Sequence, residues 1–282
     1  MKLKNTGAEF FIPDNIPVED ALARTTYMAI SAHQDDIEFM AYDGILKSFG
    51  NSNEWFYAVV VTNGAGSPRE GLYANYTDAD MQAIRKIEQK KAAYVGEYGA
   101  LSLLNYPSSA VKDSGNRDIV EELKSLIAAS KPKVIYTHNL ADKHDTHVGV
   151  VAKVISAIRE LPENLRPEKL YGCEVWRNLD WVNDDEKVVF DVSAHSNIGA
   201  ALNEVFDSQI AGGKRYDLAV AGRRLANATF AASHGVDTAT GLLYGMDLTP
   251  LIKDVNMDIV TYVQGYINRF GADVAARLKK VL

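Results

Sequence analysis

Short apolar runs rich in β-branched and aromatic residues alternate with longer stretches of helical spacing through the first 160 residues of the chain. "TTYMAISAH" (25–33) is followed by "DDIEFMAYDGILKSFG", which closes at Gly50. "EWFYAVVVTNG" (54–64) leads through "GAGSPREG" into "DADMQAIRKIEQKKAAYVGEYG". "LSLLNYP" precedes "NRDIVEELKSLIAASKP", and "KVIYTHN" (133–139) precedes "HVGVVAKVISAIREL". Strands separated by single helices need right-handed crossovers, so the expected fold class is α/β with a mostly parallel sheet. In such sheets ligands bind outside the carboxyl ends of the strands, where the polar residues that follow each apolar run converge. Farther on, "EKVVFDVSAH" reads as a strand. "SNIGAALNEVFDSQIAGG", "YDLAVAGRRLANATFAASHG" and "VTYVQGYINRFGADVAARLKKVL" read as helices. No linker-like stretch and no internal repeat divides the sequence, so a single domain is expected over residues 1–282.

Charge and composition exclude several classes. With 30 Lys+Arg against 37 Asp+Glu the net charge is −7, and no concentrated basic patch exists to neutralise phosphates, so no nucleic-acid partner is expected. No apolar stretch approaches the roughly 18 residues needed to span a bilayer, and the N-terminal residues lack the apolar core of a secretory leader. The one cysteine, Cys173, has no partner for an internal disulfide. The expectation is a cytoplasmic protein acting on a small molecule, with self-association left open because no local feature of the sequence specifies an interface.

The ionisable residues cluster at two strand ends. "AHQDD" places His33, Asp35 and Asp36 after the first run, and "KHDTH" places His144 and His147 after the run ending near Thr137. Imidazole and carboxylate suit Zn²⁺, and a catalytic zinc site commonly has three protein ligands, for which His33, Asp36 and His147 form a His₂Asp set. Asp35, beside it, is the candidate general base, and His144 the candidate stabiliser of an oxyanion. Asp142 or Asp145 would orient an imidazole from behind. Taken singly these signals are weak, since Asp35 or Asp36 is equally a helix cap and Glu38 a first-turn carboxylate favoured by the helix dipole. His138, His195 and His234 have no assigned role.

"TNGAGSPREG" lacks both the G-x-G-x-x-G and the G-x-x-x-x-G-K-[ST] patterns, so it reads as a rim to the site with Arg69 as a candidate substrate contact. Arg85 and Glu88 read as a structural pair three apart on a helix. Trp176 and Trp181 are candidate stacking surfaces for a ligand ring, although aromatic residues more often serve a core.

The two blocks carry a resemblance. "AHQDDIE" and "THNLADKHDTH" resemble the A-H-P-D-D-x-E and D-x-H-x-D-H motifs of the PIG-L/LmbE-like deacetylases. "VVVTNGAGS", "RKIEQKKAA", "FDVS" and "DSQ" extend the likeness over about residues 25–245, leaving a helical extension at the C-terminus. The resemblance implies a Rossmann-like α/β fold, with helices on both faces of the sheet, and a zinc-dependent enzyme that removes an N-acetyl group from an N-acetylglucosamine-type sugar. It implies metal ligands His33, Asp36 and His147, base Asp35, and His144 assisting the transition state. Gln34 stands where the family has proline and Thr146 where it has aspartate, and the Ala-Glu pair expected near "HGVDTATGLLYGMD" is missing. Two other functions use the same residues: a carbohydrate-binding protein with an inactive site, and a Mg²⁺-dependent phosphoryl transferase built on Asp35, Asp36 and Glu38.

Overall fold

The computed structural model describes all 282 residues. Eight strands form one sheet: β1 (Glu9–Phe11), β2 (Thr25–Ser31), β3 (Trp55–Thr62), β4 (Ala100–Tyr106), β5 (Val134–His138), β6 (Lys169–Cys173), β7 (Val188–Asp191) and β8 (Leu242–Asp247). Their order is β1-β4-β3-β2-β5-β6-β8-β7. The central pairings are parallel, from β4 through β3, β2 and β5 to β6. β1 is an antiparallel edge, and β8 runs antiparallel between β6 and β7.

Strand residues alternate between two cores, as a pleat of period two requires. Met28, Ile30, Tyr57, Val59 and Val61 face one core, filled by Ile119, Leu123, Leu126, Val150, Val154 and Ile158 of the helices Asp118–Ser130 and Asp145–Arg159. Ala29, Phe56, Ala58 and Val60 face the other, filled by Ile37, Met40, Ile45, Ala92 and Leu202. The expected helix after β2 is two pieces, Asp36–Met40 and Tyr42–Ser48, broken at Ala41 where φ is −113°.

Three strands, β1, β6 and β8, escape a reading of the sequence, and the last two carry a glycine that another group crowds. A Cβ at Gly172 of β6 would lie 2.8 Å from the Leu248 side chain, and one at Gly245 of β8 would lie 2.9 Å from the Phe190 ring. Those close approaches require glycine, and glycine weakens the local strand signal.

After β2 the chain builds β3 and β4 to one side, then crosses back to place β5 and β6 on the other. The switch point lies between β2 and β5, and a crevice opens there at their carboxyl ends.

Candidate metal centre and cavity

β2 ends at Ser31, and the chain turns within four residues into the helix Asp36–Met40. The His33 backbone N–H donates to Asp36 Oδ2 at 2.7 Å, closing the turn. Asp35 adopts φ +86°, in the left-handed region that Asp tolerates better than most residues. This kink sends the neighbouring carboxylates apart, Asp36 toward the histidines and Asp35 toward Arg85.

Three donor atoms meet there. His33 Nδ1 lies 3.1 Å from Asp36 Oδ2 and 3.2 Å from His147 Nε2, and the last two are 3.4 Å apart. Donors bound about 2.0–2.1 Å from a tetrahedral ion stand about 3.3–3.4 Å from one another, so the set fits a metal of zinc's size. The wider cluster adds His144 beside His33 and His147, and His138 beside Asp36 and His147. Burial opposes ionisation of Asp36, but the imidazoles of His147, His33 and His138 outweigh it and hold the carboxyl below its ordinary range. Burial likewise disfavours a charged His147, and Asp36 and Asp142 overcome it, raising the imidazole pKa.

Of the two carboxylates expected behind an imidazole, Asp142 occupies that position. Its Oδ2 is 3.5 Å from His147 Nδ1 and also accepts the Trp176 N–H at 3.1 Å, while Oδ1 accepts the His144 N–H at 3.0 Å. Asp145 is instead exposed in the first turn of the helix Asp145–Arg159, where nothing of the site reaches it. Thr146, standing where the motif has aspartate, is buried and lines the cavity.

His144 caps that helix, its Nδ1 accepting the Thr146 N–H at 3.3 Å. This bond assigns the neutral ring's proton to Nε2. Burial, with His147 and His33 nearby, lowers the His144 pKa, which favours the neutral donor form. His138 is fully buried, stacks on His147 at 3.9 Å and accepts the Ala32 N–H through Nε2 at 2.8 Å. It buttresses the His147 ring and the end of β2.

Asp35 is buried, with Oδ2 3.2 Å from Arg85 Nη2. Burial pushes its carboxyl up to about 7, with Arg85 pulling down and Asp36 pushing up. Arg85 also donates to the Gln34 carbonyl, and it sits 3.8 Å from Glu88, which accepts from Ser208. The pair expected to be only structural therefore holds the candidate base. Glu38 is fully buried and accepts from Gln89 and Tyr98, both at 2.7 Å, which keeps it out of any cluster with Asp35 and Asp36. The carboxylate triad that a Mg²⁺ reading needs does not assemble.

Arg69 does not line the cavity. Its guanidinium is tied to the Ala65 carbonyl at 2.7 Å and to Asp78 at 2.5 Å, so its own loop consumes the charge. His195 lies against Phe49 and His234 is exposed, both away from the centre. The cavity above the donors holds about 620 Å³, with Asp35, Asp36 and His33 in its floor and Phe39, Trp176 and Tyr216 in its wall. Trp176 stands edge-on to Tyr216 at 6.0 Å, with Lys214 Nζ 5.1 Å above its ring, whereas Trp181 packs against the larger core. Gln209, the last residue of "DSQ", lines the cavity too, as do Tyr216, Glu174 and Arg223, and none of these last three carries a local motif that would have marked it.

Residues 28–158 match the PIG-L family, described as GlcNAc-PI de-N-acetylase. No curated protein matches the chain. Solved structures share the fold. The 4-carboxy-2-hydroxymuconate hydratase GalB from Pseudomonas putida KT2440 is 15% identical with a TM-score of 0.59, covering 80% of this chain and 96% of its own. The N,N'-diacetylchitobiose deacetylase from Pyrococcus horikoshii is 15% identical with a TM-score of 0.59, covering 79% and 84%. The zinc-inhibited form of the teicoplanin deacetylase Orf2 is 14% identical with a TM-score of 0.56, covering 79% and 98%.

Proposed function

We propose, from the match of residues 28–158 to the PIG-L family, that the protein is a zinc-dependent N-deacetylase acting on an N-acetylated amino sugar. The observation that carries the reading is the juxtaposition of three donor atoms 3.1–3.4 Å apart with a separate buried carboxylate, Asp35, at the floor of one cavity. His33, Asp36 and His147 would hold Zn²⁺, which supplies Lewis acidity to a carbonyl and lowers the pKa of water toward neutrality.

The chain's own residues do the rest. Asp35 accepts the proton of the attacking water as its oxygen bonds to the acetyl carbon, then returns that proton to the nitrogen as the C–N bond breaks. Arg85 fixes the direction of the Asp35 carboxylate. His144 Nε2–H donates to the carbonyl oxygen as that oxygen gains negative charge. Asp142 joins the His147 ring to the Trp176 backbone, coupling the ligand set to the wall on which a sugar ring would stack. The products are acetate and a free amine.

The fold by itself does not choose the reaction, because GalB is a hydratase on the same scaffold. Amine release from a panel of N-acetylglucosamine derivatives, run beside absorbance loss from a conjugated hydroxy-dienoate, separates the two. Amine release supports the deacetylase reading. Diene hydration without amine release, by protein carrying stoichiometric zinc, would overturn it.

A further inference from the structure

Asp35 stands at the N-cap position of the helix Asp36–Met40, and its carbonyl accepts the N–H groups of Glu38 at 3.1 Å and Phe39 at 3.2 Å. Aspartate at this position ordinarily turns its side chain inward and accepts a backbone N–H of the first turn. Asp35 makes no such bond. Its carboxylate points away to Arg85, on a backbone of φ +86° and ψ −34°. The populated left-handed well has ψ of roughly +30° to +60°, so this is a sparsely occupied conformation that persists only where its surroundings fix it. The local sequence favours one conformation and the site uses another, and a group outside residues 33–40 must hold the second.

The helix Asp78–Val95 supplies the holder. Arg85 and Gln89 are four residues apart on it and so share one face. Arg85 Nη2 donates to the Asp35 carboxylate at 3.2 Å, and Gln89 Oε1 accepts the Asp35 N–H, also at 3.2 Å. A side-chain amide can present either end, and a flip would aim its NH₂ at the Asp35 N–H, donor against donor. Glu38 prevents that flip. Its Oε1 accepts a bond from Gln89 Nε2 at 2.7 Å and another, on the same oxygen, from the Tyr98 hydroxyl at 2.7 Å. Tyr98 is itself pinned edge-on to Phe56, with ring centres 4.9 Å apart. Glu38, Gln89 and Tyr98 are all fully buried, so water does not compete for these bonds.

Gln89 thus bridges the Asp35 N–H and the Glu38 side chain, closing from a second helix the ring that a cap would close within the first. None of Glu38, Gln89 and Tyr98 lines the cavity, so they can reach a reaction there only through Asp35. We infer that Glu38 and Gln89 are positioning residues: they hold the Asp35 backbone in its sparsely occupied conformation, and so keep its carboxylate out of the helix cap and directed to Arg85 and the cavity. The inference rests on the proposed role of Asp35 as the base.

Gln89→Met keeps the length of the side chain and removes both of its bonds. Glu38→Leu frees the amide to flip, whereas Glu38→Gln keeps an acceptor oxygen for both donors. Amine release from an N-acetylglucosamine derivative, with bound zinc quantified, should show kcat reduced about 10–100-fold in Gln89→Met and Glu38→Leu at unchanged KM and zinc content. Glu38→Gln should recover most of that loss, and Gln89→Met decides alone if Glu38→Leu does not fold. In the Asp35→Asn background Gln89→Met should cost less than about twofold more, because a residue acting through Asp35 has no base left to position. Crystal structures of the wild type and Gln89→Met give a readout that needs no turnover. In the variant Asp35 is expected at negative φ, its carboxylate capping the helix Asp36–Met40 and released from Arg85. An Asp35 that keeps its conformation in Gln89→Met, or a rate loss of full size on top of Asp35→Asn, overturns the inference. If the wild type releases no amine, the deacetylase reading fails, and the two crystal structures still decide the positioning.

Discussion

At the scale of single residues, the centre depends on side chains that share partners. Arg85 lies between Asp35 and Glu88 and is almost wholly buried with both. Arg85→Met leaves two buried carboxylates without their cation, and losing one partner from such a group typically costs about 3–5 kcal/mol. Chemical denaturation should show a loss of that order, and a stability change within 1 kcal/mol would mean the network is not coupled as drawn. Asp142 acts on the ligand set through His147. Asp142→Ala should weaken zinc affinity roughly 10–100-fold, measured by competition with a chromogenic chelator; unchanged affinity would remove it from that role. Five site residues, His33, Asp35, Asp36, His144 and His147, are legible in the sequence because each falls in a compact motif at a strand end. Arg85 is read only as half of a helix pair, because its partner Asp35 is 50 residues away and only the fold joins them. Arg69 misleads for the converse reason, since a loop's internal hydrogen bonds leave no mark on composition.

At the scale of elements, the parallel strands announce themselves because burial on both faces makes them continuously apolar. β6 and β8 do not, because Gly172 and Gly245 interrupt them where other groups come close. A third glycine links an element to the site. Gly64, just beyond β3, has φ +74°, and a Cβ there would stand 2.6 Å from Gln34 Oε1 and 3.2 Å from Arg85 Cγ. Gln34, which replaces the motif's proline, donates to the Thr62 carbonyl at 3.2 Å, so the two strand ends are joined by a side chain in place of a rigid ring. Gly64→Ala must therefore strain both the backbone and the Gln34–Arg85 contact. A destabilisation of about 1–3 kcal/mol is expected in a thermal or denaturant melt, and a neutral substitution would show the loop to be free of the floor.

At the scale of the whole molecule, the order β3-β2-β5 does what no single motif can, bringing residues more than a hundred positions apart to one crevice. The alternation of strand and helix makes the sheet and the crevice predictable. It leaves unordered the elements that wall the cavity, because Trp176 and Tyr216 arrive from the less regular second half. The C-terminal helix is legible as a helix but not as an exposed one, since exposure depends on everything it fails to touch. The proposed reaction separates a candidate metal ligand, Asp36, from a candidate base, Asp35, adjacent in sequence and directed to different partners. The measurement that tests this most directly is the deacetylation rate of Asp35→Asn, a substitution that keeps the side chain's shape and tolerates the left-handed backbone, with bound zinc quantified in the same sample. Wild-type zinc content with a rate reduced about 10²–10⁴-fold is expected. Wild-type turnover by zinc-loaded Asp35→Asn would contradict the proposed reaction.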